Sequence, residues 1–303
     1  MYFRYGRQKD FFAIRDLWIQ GFGDDVPAYN DWYFRCVYRP ERTICCIEQE
    51  RIVSCLQLAP YTLFLDKQQF PIAYLVGVVT DKAFQHQGFG HALLRYTFGQ
   101  LAAAQYKLAM LYTDIPEFYT PVGFAHCYAH KEIFLFPEQK QTPIMKWQKI
   151  FPTARNLQKC GVIYRHMTAQ MNGYVLRTED NWRTFMGDYF NAGGGLWLSK
   201  EAYFAWTPEN GEFIVREIGY TSEKALQDAL IQIRCLMAQT GYPRAKWTAP
   251  LCAPYTDGRD KQVPFAMCRR LDIPDNCPGP EAAEAVKTLF QATPQQNWVN
   301  EMT

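Results

Sequence analysis

Apolar residues first recur at helical spacing at Phe11, Ile14, Leu17 and Trp18, which predicts a helix over 9–21, broken by Gly21-Phe22-Gly23-Asp24-Asp25. A second helix holds Tyr29, Trp32, Tyr33 and Cys36 and ends at Pro40. Two strand-like runs, 43–48 and 52–60, flank the polar Gln49-Glu50-Arg51 and read as a hairpin. The run 70–80 is apolar on both faces, as a buried central strand is. A helix over 88–105 carries the stripe Leu93, Leu94, Phe98 and Leu101. A strand at 108–112, a short helix at 116–122 and one strand over 124–136 close this first unit.

Polar residues with a proline at each end, 137–143, suggest a linker. Beyond it the same order of elements returns without the same sequence. A strand at 173–176, a helix at 181–190 and a strand at 196–206 precede a strand at 212–220, entered through Asn210-Gly211, a tight-turn dipeptide. Thr221 or Ser222 caps a helix reaching 238, with Leu226, Ala229, Leu230, Ile233 and Leu236 buried and Gly241 just past its end. The expected division is 1–137, 144–275 and a tail, 276–303, with a short helix at 281–290. The expected fold class is α/β (α+β), each domain a mixed, mostly antiparallel sheet flanked by helices.

Length agrees: 303 residues make two domains at about 150 each. Charge narrows the partners. Lys and Arg (32) nearly cancel Asp and Glu (30), so nucleic acid is not expected. The charged first ten residues lack the apolar core of an export signal, and no run approaches the ~20 apolar residues that span a membrane. No membrane partner is expected, and the cytoplasm is the default address. The ten cysteines include no Cys-x-x-Cys, which argues against a redox dithiol or a zinc ribbon and for free thiols acting as small hydrophobes.

The chemistry concentrates between Gly77 and Leu94, where a buried strand enters a glycine-punctuated loop that opens a helix. Helix N-termini leave N–H groups unpaired and carry about half a positive charge. Glycines at 88 and 90 let the backbone approach a phosphate closely. Val78, Val79, Thr80, Gln85, His86, Gln87, Gly88, Phe89, Gly90 and His91 are therefore the candidate cofactor-binding residues. The dinucleotide fingerprint is excluded because Leu93 stands where Gly or Ala is required, and a P-loop is excluded because His91-Ala92 follows Gly90.

Gln85-His86-Gln87-Gly88-Phe89-Gly90 resembles the Gln/Arg-x-x-Gly-x-Gly/Ala acetyl-CoA motif of the GNAT superfamily of N-acetyltransferases. Glu117-Phe118-Tyr119-Thr120-Pro121-Val122-Gly123-Phe124 resembles the family's Phe-Tyr-x-x-x-Gly-Phe segment, in the family's order and spacing. More narrowly, the tandem order of elements and the aromatic Asp31-Trp32-Tyr33-Phe34 resemble the enhanced-intracellular-survival branch, which joins a GNAT domain to a degenerate GNAT-like domain and a sterol-carrier-like domain. At 303 residues the chain is too short for that third domain. The branch implies a terminal carboxylate acting as base, a role not carried over to Thr303, which ends a different tail. Gln85 to Gln87 lack the arginines common in this loop, so backbone-dominated phosphate binding is expected.

The resemblance implies an acetyl-CoA-dependent N-acyltransferase, with acetyl-CoA as co-substrate and direct attack by the amine in a ternary complex. Main-chain groups of Val78 to Thr80 would pair with the pantetheine arm, and an N–H near Val79 would polarise the thioester. Tyr119 would protonate the leaving thiolate; a phenol of pKa ~10 holds its proton at neutral pH. Asp24, Asp25, Glu117, His126 or a water chain could serve as base, and Asp24 and Asp25 could equally be a solvated turn. Trp32 and Glu217 complete the candidate substrate-binding set; Glu217 either pairs with Arg177 or Arg216 or faces the cleft between domains. His126 and His130 would lie ~13 Å apart on one strand, too far for a shared metal, so none is expected. The second domain, which has no Gly-x-Gly after Tyr220, is expected to bind no CoA and to serve as pocket wall or oligomer surface. A small-molecule or peptide amine is the expected acceptor, and a homo-oligomer stays open. The rival reading is a non-catalytic acyl-CoA-binding or regulatory protein on the same scaffold.

Overall fold

The computed structural model describes residues 1–23, 26–138, 142–256, 258, 260–273 and 279–290. In chain order the strands are β1 (Tyr2–Tyr5), β2 (Thr43–Glu48), β3 (Arg51–Leu65), β4 (Gln68–Thr80), β5 (Leu108–Leu111), β6 (Ala125–His126), β7 (Ala129–Leu135), β8 (Gln148–Ile150), β9 (Tyr174–Val175), β10 (Gly195–Leu198), β11 (Ala202–Glu209), β12 (Glu212–Tyr220), β13 (Ala245–Pro250), β14 (Lys261–Pro264) and β15 (Met267–Arg270). The helices are α1 (Phe11–Phe22), α2 (Pro27–Trp32), α3 (Phe89–Ala103), α4 (Pro116–Tyr119), α5 (Ala154–Thr168), α6 (Glu179–Asn191), α7 (Glu223–Thr240) and α8 (Gly279–Phe290). Among the described residues no helix is long and apolar enough to cross a membrane.

Two mixed, largely antiparallel sheets carry the fold. The first runs β1-β2-β3-β4-β5-β15-β6, with β9 on β3; the second runs β14-β7-β13-β12-β11-β10-β8. The long hairpin β3–β4 turns on Asp66 and Lys67, both with positive φ (49° and 61°), the backbone that two-residue turns require. The first sheet buries one face under α1 and the residues after it, through Ile14, Trp18, Tyr33 and Tyr74. Its other face packs against α3, through Leu93, Leu94, Phe98 and Leu75. Pro27 opens α2, and Tyr33–Val37 continues it as a turn of π-helix. Ser222 caps α7 by accepting from Ala225 N, and Gly241 closes it at φ 79°.

Sheet membership does not follow the expected division at 137/144. The single strand expected over 124–136 is two strands in two sheets: β6 stays in the first, and β7 joins the second between β14 and β13. In return β15, near the end of the described chain, fills the place between β5 and β6 in the first sheet. Likewise β9 pairs with Leu63 and Phe64 of β3 instead of the second sheet. The tail helix α8 buries Ala282, Val286 and Phe290, the last two in the first domain's core. The strand expected over 196–206 breaks into β10 and β11, because Ser199 Oγ accepts from Ala202 N (3.0 Å) and closes a turn.

Candidate functional site

The site begins where the first sheet opens. β4 and β5 run parallel but pair only through Ile72–Leu108, Ala73–Ala109 and Tyr74–Met110. Beyond Tyr74, β4 has no partner on that side among the described residues. On its other side the register against β3 jumps from Cys55–Val79 to Gln57–Val76, so β4 bulges at Gly77. Gly77 takes φ 60°, and any Cβ there would run into the Trp18 ring. Asp81 N donates to Val53 O (2.8 Å), which fixes the phase of the strand. By alternation Val79 turns its main-chain groups to β3, where Ser54 Oγ donates to its carbonyl (2.7 Å). Val78 and Thr80 then present theirs to the opening, with Thr80 O already accepting from Gln85 Nε2 (3.1 Å).

The strand feeds directly into the loop. Phe84 N donates to Asp81 O (2.8 Å), and the next paired main-chain donor is Ala92 N, to Gly88 O (3.0 Å). Among the described residues no main-chain N–H from Gln85 to His91 donates to a protein acceptor. Gln85, His86, Gln87 and Gly88 are exposed. His86 (φ 60°) and Gly88 (φ 86°) fold the loop back onto the start of α3, whose fifteen residues aim their dipole at it. Donors left unpaired at a helix N-terminus are the makings of an anion site that needs no basic side chain. Gly90 is buried, and a Cβ there would stand 2.9 Å from Phe118 and 3.5 Å from Thr80 Oγ1. His91 Nε2 lies 2.8 Å from Phe118 O and stacks on the Phe118 ring at 4.6 Å. The cradle is thus bolted to the segment that bears Tyr119.

Tyr119 is 6% exposed, between Phe118 (5.0 Å) and Phe124 (5.8 Å). Its hydroxyl has no protein partner among the described residues, and burial pushes its pKa up to about 12. The proton is held firmly and is free to be donated to something that is not protein. Gly123, in the same motif, adopts φ 86° and leaves room for Arg269 of β15, whose Nη1 donates to Val122 O (2.6 Å).

Two cavities flank the bulge. One of about 420 Å³ is lined by Trp18, Phe22, Tyr29, Tyr74, Gly77 and Tyr112 among others, with Ala192 of α6 contributed by the second half. The other, about 610 Å³, includes Trp32, Tyr33, Arg39, Arg42, Thr184 and, shared with the first, Val76. Trp32 therefore borders a cavity while its ring lies against Gly187 of α6. Asp24 and Asp25 lie outside the described residues. Glu117 is exposed on α4.

Glu217 does not face the cleft. It is fully buried and forms a fork-to-fork pair with Arg177, both contacts 2.8 Å, and accepts from the Tyr203 hydroxyl at 2.5 Å. Arg177 in turn lies over Tyr164, Trp182 and Phe185, 3.9–4.7 Å from their centroids. A carboxylate with no exposed surface, its oxygens taken by guanidinium and phenol, offers nothing to an acceptor, so the pairing reading replaces the cleft reading. His126 and His130 fall on strands of different sheets, and burial lowers both, His130 to about 4. Among the described residues no cluster of metal-ligating side chains exists.

The structure also brings in residues that the motifs do not mark: Trp18, Tyr29, Tyr74, Gly77 and Tyr112 around the smaller cavity, and Asp188 behind it. Asp188 had one sequence signal, a carboxylate between Met186 and Tyr189 on the apolar side of a helix.

Residues 2–127 match the family model of the acetyltransferase (GNAT) domain. No curated protein matches the chain. In fold it is similar to a conserved protein of Enterococcus faecalis (TM-score 0.71, 16% identity, 90% of this chain and 73% of that one). A GCN5-related N-acetyltransferase from Kribbella flavida is equally similar (TM-score 0.71, 14%, 90% and 72%). Eis1 from Mycobacterium abscessus follows (TM-score 0.64, 14%, 90% and 74%). Residues 2–127 are a GNAT acetyltransferase domain, and the chain as a whole shares the fold of these structures, Eis1 among them.

Proposed function

We propose that this acyltransferase moves an acetyl group from acetyl-CoA to an amine by direct attack in a ternary complex. The observation that carries the reading is the row of unpaired N–H groups from Gln85 to His91, bolted through Gly90 and His91 to Phe118 and the free phenol of Tyr119. The diphosphate of CoA sits on that row. The pantetheine arm enters the opening between β4 and β5 and pairs with Val78 and Thr80, as an added strand would. The Val78 N–H, fixed by the Gly77 bulge, faces the thioester oxygen and stabilises its developing charge. Holding amine and thioester together removes several kcal/mol of barrier, about 7–11 at best. When the C–S bond breaks, Tyr119 gives its proton to the thiolate.

The test is mass spectrometry of products after incubation with acetyl-CoA and an amine library, alongside calorimetry with CoA. Tyr119→Phe keeps the CoA affinity and lowers kcat by about 10²–10⁴. A wild-type chain that binds CoA and acetylates no amine would move the assignment to a binding module. One that does not bind CoA would end it altogether.

A further inference from the structure

Thr184, Asp188 and Ala192 stand four residues apart on α6 and so share one stripe of that helix. Thr184 borders the 610 Å³ cavity and Ala192 the 420 Å³ cavity. Asp188 lies between them, in the partition, and is only 8% exposed. The Tyr29 phenol lies beside its carboxyl, close enough for each to shift the other's pKa, and Tyr29 itself lines the smaller cavity. The carboxyl Oδ1 is buried and without a partner among the described residues. Buried carboxylates that serve structure have their lone pairs filled; Glu217, nearby in the same domain, shows what that looks like. Asp188 is kept half-satisfied.

The titratable and charged groups around Asp188 are Tyr29 of α2, Tyr33 after it, Tyr189 on its own helix and Arg216 of β12. Burial dominates and pushes its pKa up to about 6, against the opposing effects of the Tyr29 phenol and Arg216. Asp188 is therefore largely ionised near neutral pH yet able to hold a proton. The cavity in front of Tyr29 is walled by Trp18, Phe22, Tyr29, Tyr74 and Tyr112, with no Lys or Arg among the described residues of its lining. Aromatic faces attract a cation and exclude a hydrated, many-charged one.

We propose that the acceptor is a primary amine with a single charge and an apolar body, and that Asp188 positions it and takes up its proton through Tyr29. The inference rests on the acyl-transfer reading above. The ammonium gives one proton to Tyr29 Oη as the Tyr29 proton passes to Asp188. The neutral nitrogen attacks the thioester carbon, and the C–N bond forms. The C–S bond then breaks, and the thiolate takes the proton of Tyr119. The second nitrogen proton restores Tyr119, and Asp188 releases the first to solvent. Asp188 touches neither substrate, so it is a positioning residue supplied by the second, degenerate domain.

The experiment measures kcat/KM for the full chain with acetyl-CoA and phenethylamine from pH 5 to 9, and with spermidine at pH 7.5, with CoA affinity by calorimetry on every variant. The wild type shows an acidic limb with its midpoint near 6 and prefers phenethylamine by at least about tenfold. Asp188→Asn loses that limb and about 10²-fold in kcat/KM at pH 7.5, with CoA affinity unchanged. Tyr29→Phe loses a similar factor and carries the same test if the first variant does not fold. An unchanged limb and rate in both variants, or a preference for spermidine, overturns the inference while leaving acetyl transfer intact. A wild type that acetylates neither amine nor any member of the broader library overturns both.

Discussion

A neutral side chain at 188 makes the protein gain stability relative to the wild type as pH rises, by a calculable amount. Asp188 is 8% exposed, and burial raises its pKa from 3.8 to about 6. A raised carboxyl pKa means that the folded state holds the proton more tightly than the unfolded chain does. The stability tied to that proton is complete below 3.8 and lost as pH rises through 6. Evaluating the linkage at two pH values, the ionised form costs the wild type about 1 kcal/mol at pH 4.5 and about 3 kcal/mol at pH 8. Asp188→Asn removes this cost but adds an amide whose N–H groups need partners, a constant offset of about 1–3 kcal/mol. The offset cancels in the comparison between pH values, so the signature is a relative gain for the variant of about 2 kcal/mol from pH 4.5 to 8. Urea unfolding followed by tryptophan fluorescence measures it, with an unchanged m-value confirming that the transition is the same. A difference between variant and wild type that is flat across this range means that the carboxyl titrates normally, and the partition between the cavities is then not the dry place described above.

Three further outcomes follow from the same geometry. Glu217→Gln strands the Arg177 guanidinium, which is 1% exposed, and lowers stability by about 3–5 kcal/mol in urea while CoA affinity in the folded protein is unaltered. Replacing the pair together, Arg177→Met with Glu217→Leu, recovers most of that loss. Gly88→Ala meets no atom within 4 Å but must hold φ near 86°, at about 1–2 kcal/mol; CoA affinity by calorimetry falls about tenfold as the cradle relaxes away from its donors.

How much of this is legible in the sequence depends on whether an interaction is local. The loop at 85–91 and the Phe118-Tyr119 segment are local motifs, and each glycine has a local reason: Gly88 for its left-handed backbone, Gly90 for close approach to Phe118. The caps of α7 are equally plain. The helix α5 is less so. Its buried face, Leu157, Cys160, Gly161, Ile163, Tyr164 and Met167, recurs at helical spacing but mixes in Cys, Gly and Tyr, and the reading of the sequence assigns it no element. The role of Asp188 is hidden for another reason. Its partners, Tyr29 and the aromatic cavity, lie some 150 residues earlier in the chain, and no periodicity connects them.

The exchange of strands is the clearest case of nonlocal information, and it has a consequence of its own. β7 continues from β6 after two residues, so a reader of the sequence extends one strand through both. Only the pairing partners separate them: Met267 and Cys268 for β6, residues 245–250 and 261–264 for β7. Each sheet is therefore incomplete without chain from the other half. A chain ending at residue 137 would leave both edges of the gap between β5 and β6 unpaired and would uncover the face that Val286 and Phe290 of α8 bury. Unpaired edges and bare apolar faces lead to association, not to an independent domain. The prediction is that residues 1–137 alone aggregate or stay unfolded, and that the full chain unfolds in one transition reported identically by circular dichroism and tryptophan fluorescence. Two separated transitions would mean that the halves hold themselves together without the exchanged strands. A first half that cannot fold without the second has a physical reason to keep it, and the same coupling places α6, with Asp188, against the 420 Å³ cavity.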